Sequence, residues 1–367
     1  MIRVLQVVSG LDSGGVETML YNYCINMDRS SVKFDFIVHD PKEGVLEKKL
    51  LKLGCNIYHV TPKKKSLLKN ATEIHQIIKN GRYDIIHSHQ NTSSFIALGI
   101  ARINNISVRI AHSHVGYFDE NIKSKFVAFP FKLFTRFFST HFFACSDIAG
   151  RWLFGNKKKD KEVFIIKNAI NIDEFSYDGK IRKKIQSEFD WEDKYVVGNV
   201  ARFVPEKNHD LLIRIFKEIH KINSSAVLAL IGSGELEEKI RKQVEELDLS
   251  KHVYFLGVRT DVKNIMQAMD AFILPSKFEG FGMVFLEAQT AGLMCYASAN
   301  VPRETMVTDL IEYISLEESP QYWANRVLKS NKSYSRNINF DNMKISEFDI
   351  KSESRKLTDL YNRFYKN

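Results

Sequence analysis

The sequence predicts two α/β domains in tandem, each a parallel sheet wound on both faces by helices. Three observations carry this. The chain has 367 residues, more than one ordinary hydrophobic core holds and suited to two domains of roughly 150–200 residues. Short apolar runs alternate with stretches of helical period, the mark of right-handed βαβ units. The alternation then restarts after a polar, charged stretch from about Tyr177 to Lys194.

In the first half, Val4–Val8 reads as a strand stopped by Gly10 and the pair Gly14-Gly15, with a helix over Val16–Met27. Further strands are predicted at Phe34–Val38, Asn56–Val60, Tyr83–His89 and Val108–His112, with helices at Glu47–Leu53 and Ala71–Lys79. In the second half, strands are predicted at Tyr195–Val200, Val227–Ile231, Val253–Leu256 and Ala271–Leu274, with helices at Asp210–Lys221 and Leu236–Leu247. Ser330–Asn342 reads as a loop and Ile350–Tyr365 as a final amphipathic helix. Two such sheets leave a cleft at the carboxyl ends of their strands, where a ligand is expected.

A composition of 44% hydrophobic and 26% charged residues excludes disordered and low-complexity classes. Cys24, Cys55, Cys145 and Cys295 lie far apart with no Cys-x-x-Cys pair, which fits neither a zinc site nor a disulfide scaffold and predicts a reducing, cytoplasmic compartment. The sequence predicts no transmembrane segment and no signal peptide, since its longest apolar stretches are strand-sized. The formal net charge is +9, and residues 1–180 hold all of it, with 26 Lys and Arg against 17 Asp and Glu. Such asymmetry suits an anionic partner, a nucleic acid or an acidic membrane surface, as well as a plainly solvated face.

Three segments carry chemistry. Gly14-Gly15, between the first strand and helix, lets backbone approach a phosphate that a helix N-terminus favours, or makes a plain tight turn. Gly198–Asn208 sets Arg202 and Lys207 just past a strand's carboxyl end, where two cations neutralise a diphosphate leaving group. Pro275–Ala288 runs from a strand end through a glycine-rich loop into a helix expected near Gly282. Glu279 falls in that loop, placed to meet a sugar hydroxyl, and Glu287 inside the helix, placed to reach a ribose diol.

Together, Gly14-Gly15-Val16-Glu17, the Arg202–Lys207 segment and the Glu279–Glu287 spacing resemble the family 4 retaining glycosyltransferases of the GT-B fold. Lys167-Asn168-Ala169-Ile170, Ile231-Gly232-Ser233-Gly234 and Asp270 match in order. Ala111-His112-Ser113-His114 and Ala144–Gly150 resemble the EpsF type of exopolysaccharide and capsule synthesis. Departures are Ala169 for a common Gly, Met294 for a frequent Pro, and Val115 where a polar residue is frequent.

The resemblance implies an N-terminal acceptor domain, residues 1–178 plus 350–367, and a C-terminal nucleotide-sugar domain, residues 179–349. It implies a donor site of Gly14, Gly15, Arg202, Lys207, Glu279, Gly280, Phe281, Gly282, Met283, Val284 and Glu287. It also implies a histidine beside the transferring sugar, His114 with His112 as the alternative, so that His114, Glu279, Arg202 and Lys207 are the expected catalytic set. The implied reaction is metal-independent transfer, with retained configuration, from a UDP-sugar to a glycan or lipid-linked acceptor, with no cofactor. The only candidate for a metal-holding carboxylate pair, Asp190-Trp191-Glu192-Asp193, reads as a solvated turn in the inter-domain linker.

The aromatic segment Phe126–Phe143, with Lys132 and Arg136, reads either as a membrane-surface element or as a helix and strand buried in the first domain. The first reading places the enzyme in the cytoplasm, peripheral on the inner face of the membrane. The alternative function is a non-catalytic nucleotide- or nucleic-acid-binding α/β protein. No RNA- or DNA-binding signature supports it, and the missing Gly-x-Gly-x-x-Gly argues against a dinucleotide oxidoreductase.

Overall fold

The structure, a computed structural model, describes residues 1–12, 14–114, 122–155, 162–329, 336 and 344–366, with backbone alone at 122–127 and 344. It divides into two units, Met1–Ile170 with Phe348–Asn367, and Asn171–Glu347.

The first unit is a seven-stranded parallel sheet of β1 (Ile2–Val8), β2 (Val32–Val38), β3 (Ile57–His59), β4 (Ile85–Ser88), β5 (Val108–Ser113), β6 (His141–Ala144) and β7 (Val163–Ile165), ordered β3-β2-β1-β4-β5-β6-β7. The second is a six-stranded parallel sheet of β8 (Tyr195–Val200), β9 (Ala226–Ile231), β10 (Val253–Gly257), β11 (Ala271–Leu274), β12 (Met294–Ser298) and β13 (Ile311–Ile314), ordered β10-β9-β8-β11-β12-β13. In each sheet the order reverses once, between β1 and β4 and between β8 and β11, and ligands of open α/β sheets bind at that reversal. Because both faces are covered by helices, the central strands β1, β4, β8, β9 and β11 are almost wholly buried, and β9 is apolar at every residue.

The final helix, Ile350–Lys366, packs on the first unit. Ile350, Leu357, Tyr361 and Phe364 are buried with Val4, Phe34, Phe36 and Phe143 on one face of its sheet. Its Glu353 accepts from the Lys167 amide at 3.0 Å and from the Tyr23 hydroxyl at 3.5 Å, pinning the helix start.

Several expectations change. Strands β6, β7, β12 and β13 were not among the predicted strands, apart from the strand that one reading of Phe126–Phe143 allowed for β6. The first two are four and three residues long, and β12 (Met-Cys-Tyr-Ala-Ser) has no β-branched residue. The stretch Tyr177–Lys194 is not a linker: it contains the helix Gly179–Glu188, and Trp191 is fully buried in the second unit's core with Phe272 and Phe285. The turn Asp190–Asp193 therefore lies inside that unit. Cys24 and Cys55, distant in sequence, meet with their sulfurs 3.5 Å apart, because the helix Gly15–Asn26 and the chain entering β3 cover the same sheet face; all four cysteines are buried, free thiols.

The aromatic segment divides. Phe142 and Phe143 of β6 are core, whereas the helix Ile122–Phe138 leaves Phe129, Phe131, Leu133, Phe134 and Phe137 exposed by 41–64%. Among the described residues no helix is long and apolar enough to cross a membrane. Val115 and nearly all of Ser330–Asn342 lie outside the described residues.

Candidate active site

The sheet reversal in the second unit carries the charged constellation. Strand β8 ends in the short helical turn Pro205–Lys207, and β11 ends in the loop Pro275–Gly282. The two are clasped by backbone, the Lys277 amide donating to the Glu206 carbonyl at 2.7 Å, and by side chains, Lys207 Nζ lying 2.6 Å from Glu279 Oε1. Ser276 donates to the same carboxylate oxygen at 2.8 Å. The Glu279 side chain is only 7% exposed and Lys207 19%, so the pair is largely removed from water. One step back, Asn199 reaches from β8 to the Ile273 carbonyl at 2.7 Å and holds the two strands together.

Arg202 lies beside this clasp in sequence but is exposed, and its guanidinium makes no hydrogen bond to a described residue. Its backbone is fixed by glycine. The chain at Gly232 has φ +136, and a Cβ there would stand 2.1 Å from the Ala201 carbonyl oxygen, so only glycine lets the β9 loop press against this segment.

The helix after β11, Met283–Thr290, starts at Gly282, whose left-handed φ of +87 turns the chain with no side-chain cap. A side chain at Gly282 would meet the Phe285 ring at 2.9 Å. Glu287 sits half-buried on this helix. No described residue offers it a cation, and burial pushes its carboxyl up to about 7. Two residues on, the Gln289 amide is wholly buried, donating to the Phe285 and Thr305 carbonyls and accepting from Val307, Thr308 and the Thr308 hydroxyl. This locks the helix that bears Glu287. Gly280, Phe281, Met283 and Val284 line the same loop and first helical turn.

The first unit offers a second constellation at its own reversal. Gly14 is the N-cap of the helix Gly15–Asn26 and contributes no side-chain cap; Gly15 is exposed, and the space where its Cβ would stand is open. Beside β1, two His-x-His pairs end neighbouring strands, His87-Ser88-His89 at β4 and His112-Ser113-His114 at β5. All four imidazoles lie on one sheet face. His87 Nε2 is 3.1 Å from His112 Nδ1, and His89 Nδ1 is 2.8 Å from His114 Nε2. Gln6 on β1 and Tyr361 on the final helix close the array: His89 Nε2 reaches Gln6 Oε1 at 2.8 Å, and His87 Nδ1 reaches the Tyr361 hydroxyl at 2.7 Å. Burial holds His87, His89 and His112 well below the usual histidine range and His114 down at about 3, so all four are neutral near pH 7. The His114 backbone is fixed by Asn91, which accepts its amide at 3.0 Å.

Among the described residues, His87, His89 and His112 are the one group of three such side chains, ring nitrogens within 4.8 Å of one another, that could hold a metal ion. In the present arrangement their nitrogens share protons with each other and with Gln6 and Tyr361, which a bound ion would displace.

The structure thus brings Lys207, Glu279, Gly280 and Gly282 into one loop pair with Glu287 on the helix that follows, and sets His112 and His114 side by side, ring centres 4.0 Å apart. Sequence reasoning passed over Ser276, Gln6, His87, His89 and Tyr361. The repeated His-x-His at two strand ends was a readable signal. The contribution of Tyr361, 274 positions from His87, was not.

Glycosyl transferases group 1 match residues 180–339, and Glycosyltransferase Family 4 matches residues 13–174. The EpsF protein of Bacillus subtilis (strain 168) is 30% identical over 344 residues, covering 89% of this chain and 87% of that protein. The chain is a family 4 glycosyltransferase. This transferase is also 25% identical to the UDP-Gal:alpha-D-GlcNAc-diphosphoundecaprenol alpha-1,3-galactosyltransferase of Escherichia coli, over 80% of the chain and 79% of that enzyme. Its fold matches that of Anabaena Alr3699/HepE, solved in complex with UDP and glucose, with a TM-score of 0.80 at 18% identity over 99% of this chain and all of that one. The transferase therefore has the GT-B fold that its motifs led us to expect.

Proposed function

We propose that this transferase moves a sugar from a UDP-sugar to a hydroxyl of a lipid-linked saccharide during assembly of a bacterial surface polysaccharide, with retained anomeric configuration and without a metal ion. The observation that carries this reading is the clasp at the β8–β11 reversal, where a buried lysine–glutamate pair sits at the loop that leads into the helix bearing the Glu287 carboxyl. Lys207 and Arg202 would meet the charge that develops on the departing diphosphate. Glu279 would hold the donor sugar, Glu287 the ribose, the Gly14-Gly15 turn the phosphates, and His114 a hydroxyl of the transferring sugar. The name of the Escherichia coli relative supplies the donor base and the diphosphoundecaprenol-linked acceptor class, and HepE binds UDP. The exposed aromatic face of the helix Ile122–Phe138 and the basic first half support work at an acidic membrane surface.

The test is a panel of UDP-sugars with a lipid-linked saccharide acceptor in excess EDTA, the product's anomeric coupling read by NMR. Transfer of one α-linked donor into an α-linked product is expected. A β-linked product overturns retention, and activity restored only by Mg²⁺ or Mn²⁺ overturns metal independence. Sedimentation with anionic liposomes at low salt should deplete the supernatant; full recovery in solution would remove the membrane proposal.

A further inference from the structure

The four-histidine array has an internal logic that hydrogen-bond bookkeeping exposes. A neutral imidazole carries one N–H and one bare nitrogen, and a carboxamide oxygen only accepts. Gln6 Oε1 faces His89 Nε2, so that nitrogen must donate and His89 Nδ1 is bare. The bare nitrogen accepts from His114 Nε2, which leaves His114 Nδ1 without a proton. On the other arm, Gln6 Nε2 donates to the Tyr361 hydroxyl at 3.3 Å, so that hydroxyl turns its own proton to His87 Nδ1. His87 Nε2 then donates to His112 Nδ1, and His112 keeps its proton on Nε2.

Both arms end on buried atoms with no partner among the described residues, His114 Nδ1 and His112 Nε2. Reversing the single Gln6 amide would reverse every proton in the array. One end is therefore a bare acceptor and the other an N–H donor, on neighbouring rings tilted by 31° with centres 4.0 Å apart.

We propose that Gln6 and Tyr361 are positioning residues that lock all four histidines in the Nε2–H form, so that His114 presents a bare Nδ1 to a donating saccharide hydroxyl and rejects a carbonyl or phosphate oxygen. The choice of ligand group rests on the proposed function, in which His114 meets the transferring sugar. The proton lock does not. Its reach is long: a hydroxyl on the last helix of the chain and an amide on its first strand set the chemistry at the ends of β4 and β5.

The experiment is long-range ¹H–¹⁵N correlation of the imidazoles in the full chain labelled at histidine, with the four signals assigned through single His→Gln variants. The wild-type protein should show His87, His89, His112 and His114 all as Nε2–H forms with bare Nδ1; Nδ1–H forms, or mixtures, would overturn the lock without reference to activity. In Gln6→Glu both oxygens accept, so His89 and His114 should keep Nε2–H while His87 and His112 switch to Nδ1–H. A protein that folds with all four forms unchanged refutes the role of Gln6. In Tyr361→Phe only His87 and His112 should become mixtures, and a change at His114 would contradict the two-arm scheme. Transfer by Gln6→Leu should fall about tenfold in kcat with the nucleotide's KM held, the loss expected when one neutral positioning hydrogen bond is removed. A raised KM alone would show a merely structural role.

Discussion

Replacing Lys207 with Met should cost the transferase at least about 100-fold in kcat and destabilise its second unit by about 2–4 kcal/mol, two effects with different causes. The stability loss comes from Glu279. With its carboxylate 7% exposed and Lys207 gone, a buried anion is left, among the described residues, with the Ser276 hydroxyl alone. The rate loss comes from the diphosphate, whose developing charge would lose one of the two proposed cations. A double-mutant cycle separates them: Lys207→Met combined with Glu279→Gln should regain most of the stability, because no unpaired charge remains, and none of the rate. Denaturant unfolding of the four proteins beside their turnover gives both answers. Additive stability losses would mean that the pair is not a coupled unit.

Glu287→Gln should act in opposite directions on stability and on binding. Burial raises the Glu287 carboxyl from its ordinary 4.5 to about 7 in the folded protein. The unfolded chain therefore loses this proton first as pH rises, and stability that is full below about 4.5 falls away through 7. Above that, the ionised, buried carboxylate holds the protein about 3 kcal/mol below what a neutral side chain allows, at 1.36 kcal/mol for each pKa unit. Gln removes the ionisation, so the variant should melt several degrees higher than wild type at pH 8 and nearly level with it at pH 5. UDP affinity should fall 10- to 100-fold, the loss expected for hydrogen bonds to a charged group. Melting curves at the two pH values check the first part. Equal shifts at both would mean that Glu287 is already ionised at pH 5.

What the sequence made legible follows the range of the interactions. The doubled sheet was readable because both faces of β1, β8 and β9 are buried and their sequences are mostly apolar, β9 at every residue. Strands β12 and β13 were hidden because their place is set by neighbours: Cys295 and Tyr296 pair with Ile311 and Glu312, and no local pattern announces it. The Glu279–Glu287 stretch was readable since strand, glycine loop and helix follow one another within the twenty residues Ala271–Thr290. That Lys207 is the partner of Glu279, 72 positions away, needed the β8–β11 reversal. The histidine array shows the same limit: His112 and His114 stood out, while their hold on Gln6 and Tyr361 depends on the final helix returning to the first unit. Trp191 shows the converse error, where charged neighbours made a core residue look like linker.

The measurement that bears most directly on the donor site is calorimetric titration of the full chain with UDP, GDP and ADP in excess EDTA, repeated with Glu287→Gln. The account predicts one UDP bound per chain, a preference over the purine nucleotides, and a weakened isotherm in the variant. Binding that appears only when Mg²⁺ is added, or UDP binding unchanged by Glu287→Gln, would contradict the assignment of the nucleotide to the Lys207–Glu279–Glu287 constellation.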